Sequence, residues 1–357
     1  MKTIILMLSF SLATTLNSCD QGVEPIPKCN AAVLDTTSHA FTWTITELGD
    51  GGGSILRDVA IINDTLIYAI GELYLKDSTG QIDPLPYNAV IWNGSSWAPK
   101  RISVVFRGST ITPPLEGIFS FSSQQIWLVG SLPIYGDGSM WTMYDLRTTL
   151  DPNVSVSKAW GQTANNVFFV GRGGSIVHFT NGIWQKLSSG TTFPIRDVWG
   201  AKDPVTGKQT VLAIASGSFP EDGKKLLSID GTTVSSLSDE GLSWSLSGVW
   251  FVPNCRYYIV GAGIHQKASL RDPVWTVYPP GEVTSYGSTA VYGQSLNDVF
   301  VVGSFLEIAH FNGSTWYNYR KEIPLTDGVI ADVDIKGNSV VLVGYLNQRA
   351  LIITGRR

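Results

Sequence analysis

The sequence predicts an all-β chain folded as a single seven-bladed β-propeller, and three observations carry that expectation. The first is composition: the 357 residues include 37 glycines, 43% are hydrophobic, 11% aromatic and only 15% charged. A soluble domain ordinarily carries about 25% charged residues. Glycine beside Trp, Val, Ile and Thr reads as many strands joined by tight turns, and the apolar balance excludes an intrinsically disordered chain. The second observation is an internal repeat of about 45 residues, the length of a four-stranded blade. The third is that each end of the chain lacks what the other supplies.

In chain order, residues 1–18 read as an export signal. Lys2 gives the positive start, and residues 4 to 16 form an apolar core too short to cross the roughly 30 Å hydrocarbon layer as a helix. Leu16-Asn17-Ser18-Cys19 follows directly. This run resembles the bacterial lipobox, which implies a diacylglyceryl group on Cys19 and a mature chain beginning at that acylated residue. Two or more acyl chains give stable anchoring, at about 0.8 kcal/mol per buried CH2. Residues 19–40 contain Gly22, Pro25 and Pro27 and no apolar period, so they read as a flexible tether. Cys29 in the tether and Cys255 far downstream either pair across an oxidising envelope or stand as separate thiols. Neither has a neighbouring His in sequence that would mark a nucleophile.

The propeller domain is expected over residues 41–357. Lys158-Ala159-Trp160-Gly161 followed by Asn166-Val167-Phe168-Phe169-Val170-Gly171 is matched by Ala290-Val291-Tyr292-Gly293 followed by Asp298-Val299-Phe300-Val301-Val302-Gly303. Each then continues alike, through Ile176-Val177-His178-Phe179 to Trp184 and through Ile308-Ala309-His310-Phe311 to Trp316. The glycine that ends the second strand recurs as Gly71, Gly130, Gly171, Gly217, Gly261, Gly303 and Gly344, which makes seven units rather than six or eight. Runs such as Val-Phe-Phe-Val are continuously apolar, as a strand covered on both faces requires. Asn93-Gly94, Asn181-Gly182, Asp230-Gly231 and Asn312-Gly313 are hairpin signals that need positive φ. Trp97, Trp184, Trp275 and Trp316 open the outer strand. Tyr74 to Pro86 reads as a long loop inside the first unit.

The last unit, from Val329 to Ile353, offers only three strands, whereas Phe41-Thr42-Trp43-Thr44-Ile45 is a strand without a unit. The N-terminal strand is therefore expected to complete the last blade, closing the ring and removing a free edge.

Net charge is −4 and no block of like charges occurs, which argues against a nucleic-acid partner. Of the four histidines, His178 and His310 recur at the same place in two repeats and read as structural elements. His39 falls in the tether and His265 in a less regular unit, so neither a metal site nor a cofactor is expected. Asp58, Asp197 and Asp332 fall at matched places at the start of first strands, which line a propeller's channel. They are the candidate ligand contacts at a channel mouth, set against the plainer reading of a repeated salt bridge or turn contact. No phosphate loop, nucleophile elbow or complete sialidase box occurs, since Ser228-Ile229-Asp230-Gly231 lacks the Trp. No catalytic residue is assigned.

The repeat, best seen over residues 155–200 and 286–318, resembles bacterial envelope propellers whose units read aliphatic-Trp-Gly, Asn-Asp-Val-aromatic-Val-Gly, Ile-x-His-Tyr-x-Gly, Trp. Some members of that family carry the label glucosyltransferase, for which the repeat supplies no mechanism. With the lipobox, the resemblance implies a lipid-anchored lipoprotein of the bacterial cell envelope, at the outer membrane or cell surface. Its monomeric propeller would act as a non-catalytic scaffold for an envelope protein or glycan. The alternative is a carbohydrate-active enzyme, glycosidase or lyase, whose acidic residues come from separate blades.

Overall fold

A computed structural model describes residues 36–357. The expected signal peptide, Cys19 and Cys29 lie outside the described residues. Seven four-stranded antiparallel sheets account for nearly all of the secondary structure. Their first strands are Ile55–Asn63, Gly117–Ser122, Lys158–Thr163, Ile195–Lys202, Leu246–Val252, Ser288–Ser295 and Val329–Lys336. Each first strand lies beside the next, and the seventh lies beside the first. The chain is thus the seven-bladed propeller the repeat predicts; the blades are numbered 1 to 7 in that order.

Closure happens as the ends of the sequence require. Thr42–Leu48 pairs antiparallel with Arg349–Arg356, from Thr42 opposite Arg356 to Leu48 opposite Ala350. Blade 7 therefore takes its outer strand from the other end of the chain, and neither terminus leaves an unpaired inner edge.

The repeated residues have local reasons. An added Cβ on Gly200 would sit 2.5 Å from the Trp160 ring, and one on Gly293 would sit 2.9 Å from Trp250. These two tryptophans are therefore knobs that seat on the glycine of the next blade, whereas Trp199 meets blade 5 at Phe251, donating its ring N–H to the Phe251 carbonyl at 3.2 Å. Middle strands such as Asn166–Val170 and Asp298–Gly303 are buried nearly throughout, because neighbouring blades cover both faces. Burial of these side chains contributes about 25 cal/mol per Å² of apolar area.

Two details differ from the sequence reading. At Asn181-Gly182 both residues take positive φ (48° and 86°), but in the other three hairpin dipeptides only the glycine does. There the first residue acts through its side chain where it is Asn: Asn93 accepts N–H bonds from Ser95 and Ser96, and Asn312 from Ser314 and Thr315. The unit around Gly130 is preceded by an extra hairpin, Val104–Phe106 with Ser109–Ile111. That hairpin, together with the 74–86 loop, explains the longest interval in the repeat.

Candidate functional site

The first strands of blades 1, 4 and 7 carry the same irregularity: pairing skips a residue just before Asp58, Asp197 and Asp332. Such a bulge re-aims a side chain, and all three carboxylates line a central cavity of about 530 Å³. Their oxygens are occupied. Asp58 accepts the Val59 N–H at 2.7 Å and, from blade 2, the Ile118 N–H at 3.1 Å. Asp197 accepts Val198 at 2.8 Å and, from blade 5, Val249 at 2.9 Å. Asp332 accepts Val333 at 2.8 Å. Each of the first two carboxylates clips its own strand to that of the next blade.

Two further residues complete this belt. Lys158 stands at the corresponding position of blade 3, and its Nζ reaches across the lumen to Asp58 at 2.9 Å and also to Asp332. Asp334, two residues beyond Asp332 on the same side of its strand, accepts the Ile61 N–H of blade 1 at 2.7 Å. The sequence did carry a signal for Lys158, since Lys158-Ala159 occupies the place of Asp58-Val59 in the repeat. The pairing across the channel needed the ring itself.

Burial sets the electrostatics. It pushes the Asp58 carboxyl well above its ordinary range, against the pull of Lys158. It lifts Asp197 to about 7, with Lys158 opposing and Asp332 adding, and Asp334 likewise to about 7, against the Ile61 N–H bond. For Lys158 burial favours the neutral amine, but Asp332, Asp58 and Asp197 outweigh it and hold the ammonium. An acid–base pair needs lone pairs and protons directed at a substrate. Here the carboxylates accept from backbone N–H groups and from the Lys158 ammonium, which ties neighbouring blades together around the lumen.

The histidines form separate sites. His178 Nε2 lies 2.7 Å from Asn166 Oδ1, and the ring stacks on Phe168. His310 Nε2 lies 3.0 Å from the buried Asp298 carboxylate, and the ring stacks on Phe300. His39 is fastened to blade 6, with Nδ1 2.9 Å from His310 Nδ1 and the Tyr319 hydroxyl donating to its carbonyl. His265 Nε2 lies 3.0 Å from both the amide and the hydroxyl of Ser243. Among the described residues no group of three or more His, Cys, Asp or Glu converges as a metal site. Cys255 is disulfide-bonded; whether it pairs with Cys29, one of the two alternatives the sequence leaves open, turns on a residue outside the described ones.

The two faces of the ring differ. Turns joining first to second and third to fourth strands lie on one face, and the N-terminal residues enter there: Thr37 donates through its backbone N–H to Asn312 O and through its hydroxyl to Asn297 O. The turns of the opposite face carry Phe219, Trp244, Tyr286 and Phe305, exposed at 61%, 43%, 38% and 43%. Tyr286 and Phe305 pack with centroids 4.2 Å apart and ring planes tilted by 36°, and the Arg320 guanidinium lies 4.8 Å from the Tyr286 centroid.

No family model matches the chain, and no curated protein is similar to it in sequence. Solved structures are similar in fold. YCF48 bound to D1 peptide aligns with TM-score 0.61 at 16% identity, covering 90% of this chain and 97% of that one. The WD40 propeller domain of Doa1 aligns at 0.58 and 12%, covering 88% and 97%. YCF48 from Cyanidioschyzon merolae aligns at 0.57 and 15%, covering 87% and 98%. At these identities the likeness is one of fold.

Proposed function

We propose that this protein is a lipid-anchored, non-catalytic scaffold of the bacterial cell envelope, held to a membrane through acylated Cys19, and that its propeller binds an extended segment of a partner protein. The observation that carries the reading is the contrast between the lumen and the aromatic face. The acidic residues an enzyme would use are spent on backbone N–H groups and Lys158. The face opposite the N-terminal entry presents Phe219, Trp244, Tyr286 and Phe305 together with Arg320. Aromatic residues and Arg are the side chains that dominate protein interfaces. Thr37 is tied down on the face opposite the aromatic residues, so a tether leading back to Cys19 leaves the aromatic face unobstructed. That YCF48 has been solved with a D1 peptide bound supports the use of this fold for a polypeptide ligand.

The test is site-specific photo-cross-linking in intact envelopes. A photoreactive residue at Trp244 or Phe305 is expected to capture a polypeptide. One at Val205, exposed on the anchor-side face, is expected to capture none. Release of reducing ends from an envelope glycan by the purified chain, abolished by Asp197→Asn, would overturn the reading in favour of an enzyme.

A further inference from the structure

The junction between blades 7 and 1 is built differently from the junction between blades 6 and 7. The closing strand Thr42–Leu48 has two faces. Trp43 and Ile45 look toward blade 6, where Phe41, Trp43 and Tyr319 fill the space, with Trp43 and Tyr319 centroids 4.9 Å apart. The other face carries Thr42, Thr44 and Thr46, and these line a cavity of about 340 Å³ against blade 1. Pockets that hold small ligands begin at about this size.

The two walls of that wedge have opposite chemistry. On the blade 1 side stand Trp92 and Trp97, their centroids 5.6 Å apart. The Trp92 N–H already donates to Asp64 O, so beside Ile61, Ile67 and the acidic Asp64 the wall offers a ligand the faces of these two rings. On the blade 7 side stand hydroxyls of the three threonines with those of Ser339 and Thr354, and the exposed Arg356 guanidinium lies at the edge. Arg356 makes no ion pair among the described residues. The chain before Thr42 turns toward blade 6, where His39 meets His310, so the described N-terminal residues do not cover the wedge.

A pyranose ring is matched to such a site. Its C–H faces are apolar and lie flat on aromatic rings, while its rim of hydroxyls both donates and accepts hydrogen bonds, as Ser and Thr do. A guanidinium adds a planar fork for vicinal hydroxyls or for the carboxylate of a uronic acid. We propose that the wedge between blades 7 and 1 is a saccharide-binding site that takes a pyranose unit of an oligosaccharide, stacked on Trp92 and Trp97 and hydrogen-bonded by the threonine wall. The site is separate from the aromatic face and does not depend on it.

The test is calorimetric titration of the purified full-length chain with chitotetraose, maltotetraose and trigalacturonic acid. At least one probe is expected to bind, with micromolar to millimolar affinity. Thr44→Val keeps the side-chain shape and removes one hydroxyl, and is expected to weaken binding roughly tenfold, the scale of one well-made hydrogen bond. Trp97→Leu is expected to weaken it further. Arg356→Gln should penalise the acidic probe more than the neutral ones, if the acidic one binds, and Phe305→Ser should leave all affinities unchanged. Failure of all three probes to bind at millimolar concentration overturns the proposal. So does binding that survives Thr44→Val and Trp97→Leu unchanged while both variants melt as the native chain does. Loss of the photo-cross-link at Phe305 would bear only on the protein-binding reading.

Discussion

Blades 3 and 6 are the two best copies of the repeat, and their backbones follow each other through the second turn. In blade 3, Gly171 N–H donates to Ser175 O at 3.0 Å; in blade 6, Gly303 N–H donates to Glu307 O at 3.0 Å. Both turns place two successive residues in the left-handed region. In blade 3 these are Gly173 and Gly174, at 62° and 68°; in blade 6 they are Phe305 and Leu306, at 55° and 59°. The histidine differs too. His178 meets neutral Asn166, and its Nδ1 is buried without a partner among the described residues. His310 meets Asp298, which also takes bonds from Arg357 and Gln294, while His39 caps its other nitrogen. One skeleton thus serves two purposes. At this turn and this histidine blade 3 makes no further attachment, whereas blade 6 fastens the incoming N-terminal residues on one face and displays an aromatic pair on the other.

The largest predicted difference lies in the buried carboxylate. Asp298→Ala leaves His310 and Arg357 without their shared acceptor and is expected to cost about 3–5 kcal/mol, the usual penalty for breaking a buried ion pair. Asn166→Ala removes a neutral hydrogen bond and should cost about 1 kcal/mol. Urea unfolding midpoints compare the two. Similar losses would mean that the blades bear equal weight and that Asp298 is no special fastening.

A smaller difference is expected from pH. Burial, with His310 nearby, lowers the His39 pKa from its ordinary 6.5. The unfolded imidazole then binds its proton before the folded one, so stability is lost as pH falls below 6.5 and the loss ends once the folded value is passed. Asp197 and Asp334 act in the opposite sense. Raised to about 7, they add stability in acid that is lost as pH rises through 7. The difference between native chain and His39→Gln isolates the histidine: the variant should lose less stability between neutrality and pH 5. Parallel curves would show that the fastening of His39 to blade 6 is indifferent to charge.

Much of this was legible in the sequence because its causes are local. A strand covered on both faces must be apolar throughout, so Val167 to Val170 and Val299 to Val302 announce themselves. Trp160 and Trp250, which seat on Gly200 and Gly293 of the next blade, occupy one matched place in the repeat, and a blade short of one strand advertises its complement at Thr42–Leu48. What was hidden depends on the ring. Lys158 meets residues 100 and 174 positions away, and His39 meets one 271 away. Asp334 shares its strand face with Asp332 but gains meaning only from Ile61 of the adjoining blade. The Val104–Phe106 hairpin escaped because its turn, with Arg107 at φ 50° before Gly108, lacks the Asn-Gly signal. The saccharide wedge escaped for another reason: alternating threonines read equally well as ordinary strand residues until the opposite wall is in place.

The finest test of the comparison exchanges the turn residues themselves. A non-glycine residue in the left-handed region costs roughly 1–2 kcal/mol. In blade 3 an added Cβ on Gly173 meets nothing within 4 Å, so Gly173→Ala should show that backbone cost alone. In blade 6 Leu306 is fully buried, and its packing offsets its own strain. Phe305 is exposed, and only its ring contact with Tyr286, about 0.5–1.5 kcal/mol for an aromatic pair, works against the cost. Phe305→Gly relieves the strain and removes the ring contact, so it should leave stability within about 1 kcal/mol of native while abolishing capture of the partner polypeptide through a photoreactive residue at Trp244. A strained residue that the fold does not need is held for what it touches outside the fold. If Phe305→Gly instead destabilised the chain as strongly as Asp298→Ala, Phe305 would be a structural element and the aromatic face would lose its strongest claim to a partner.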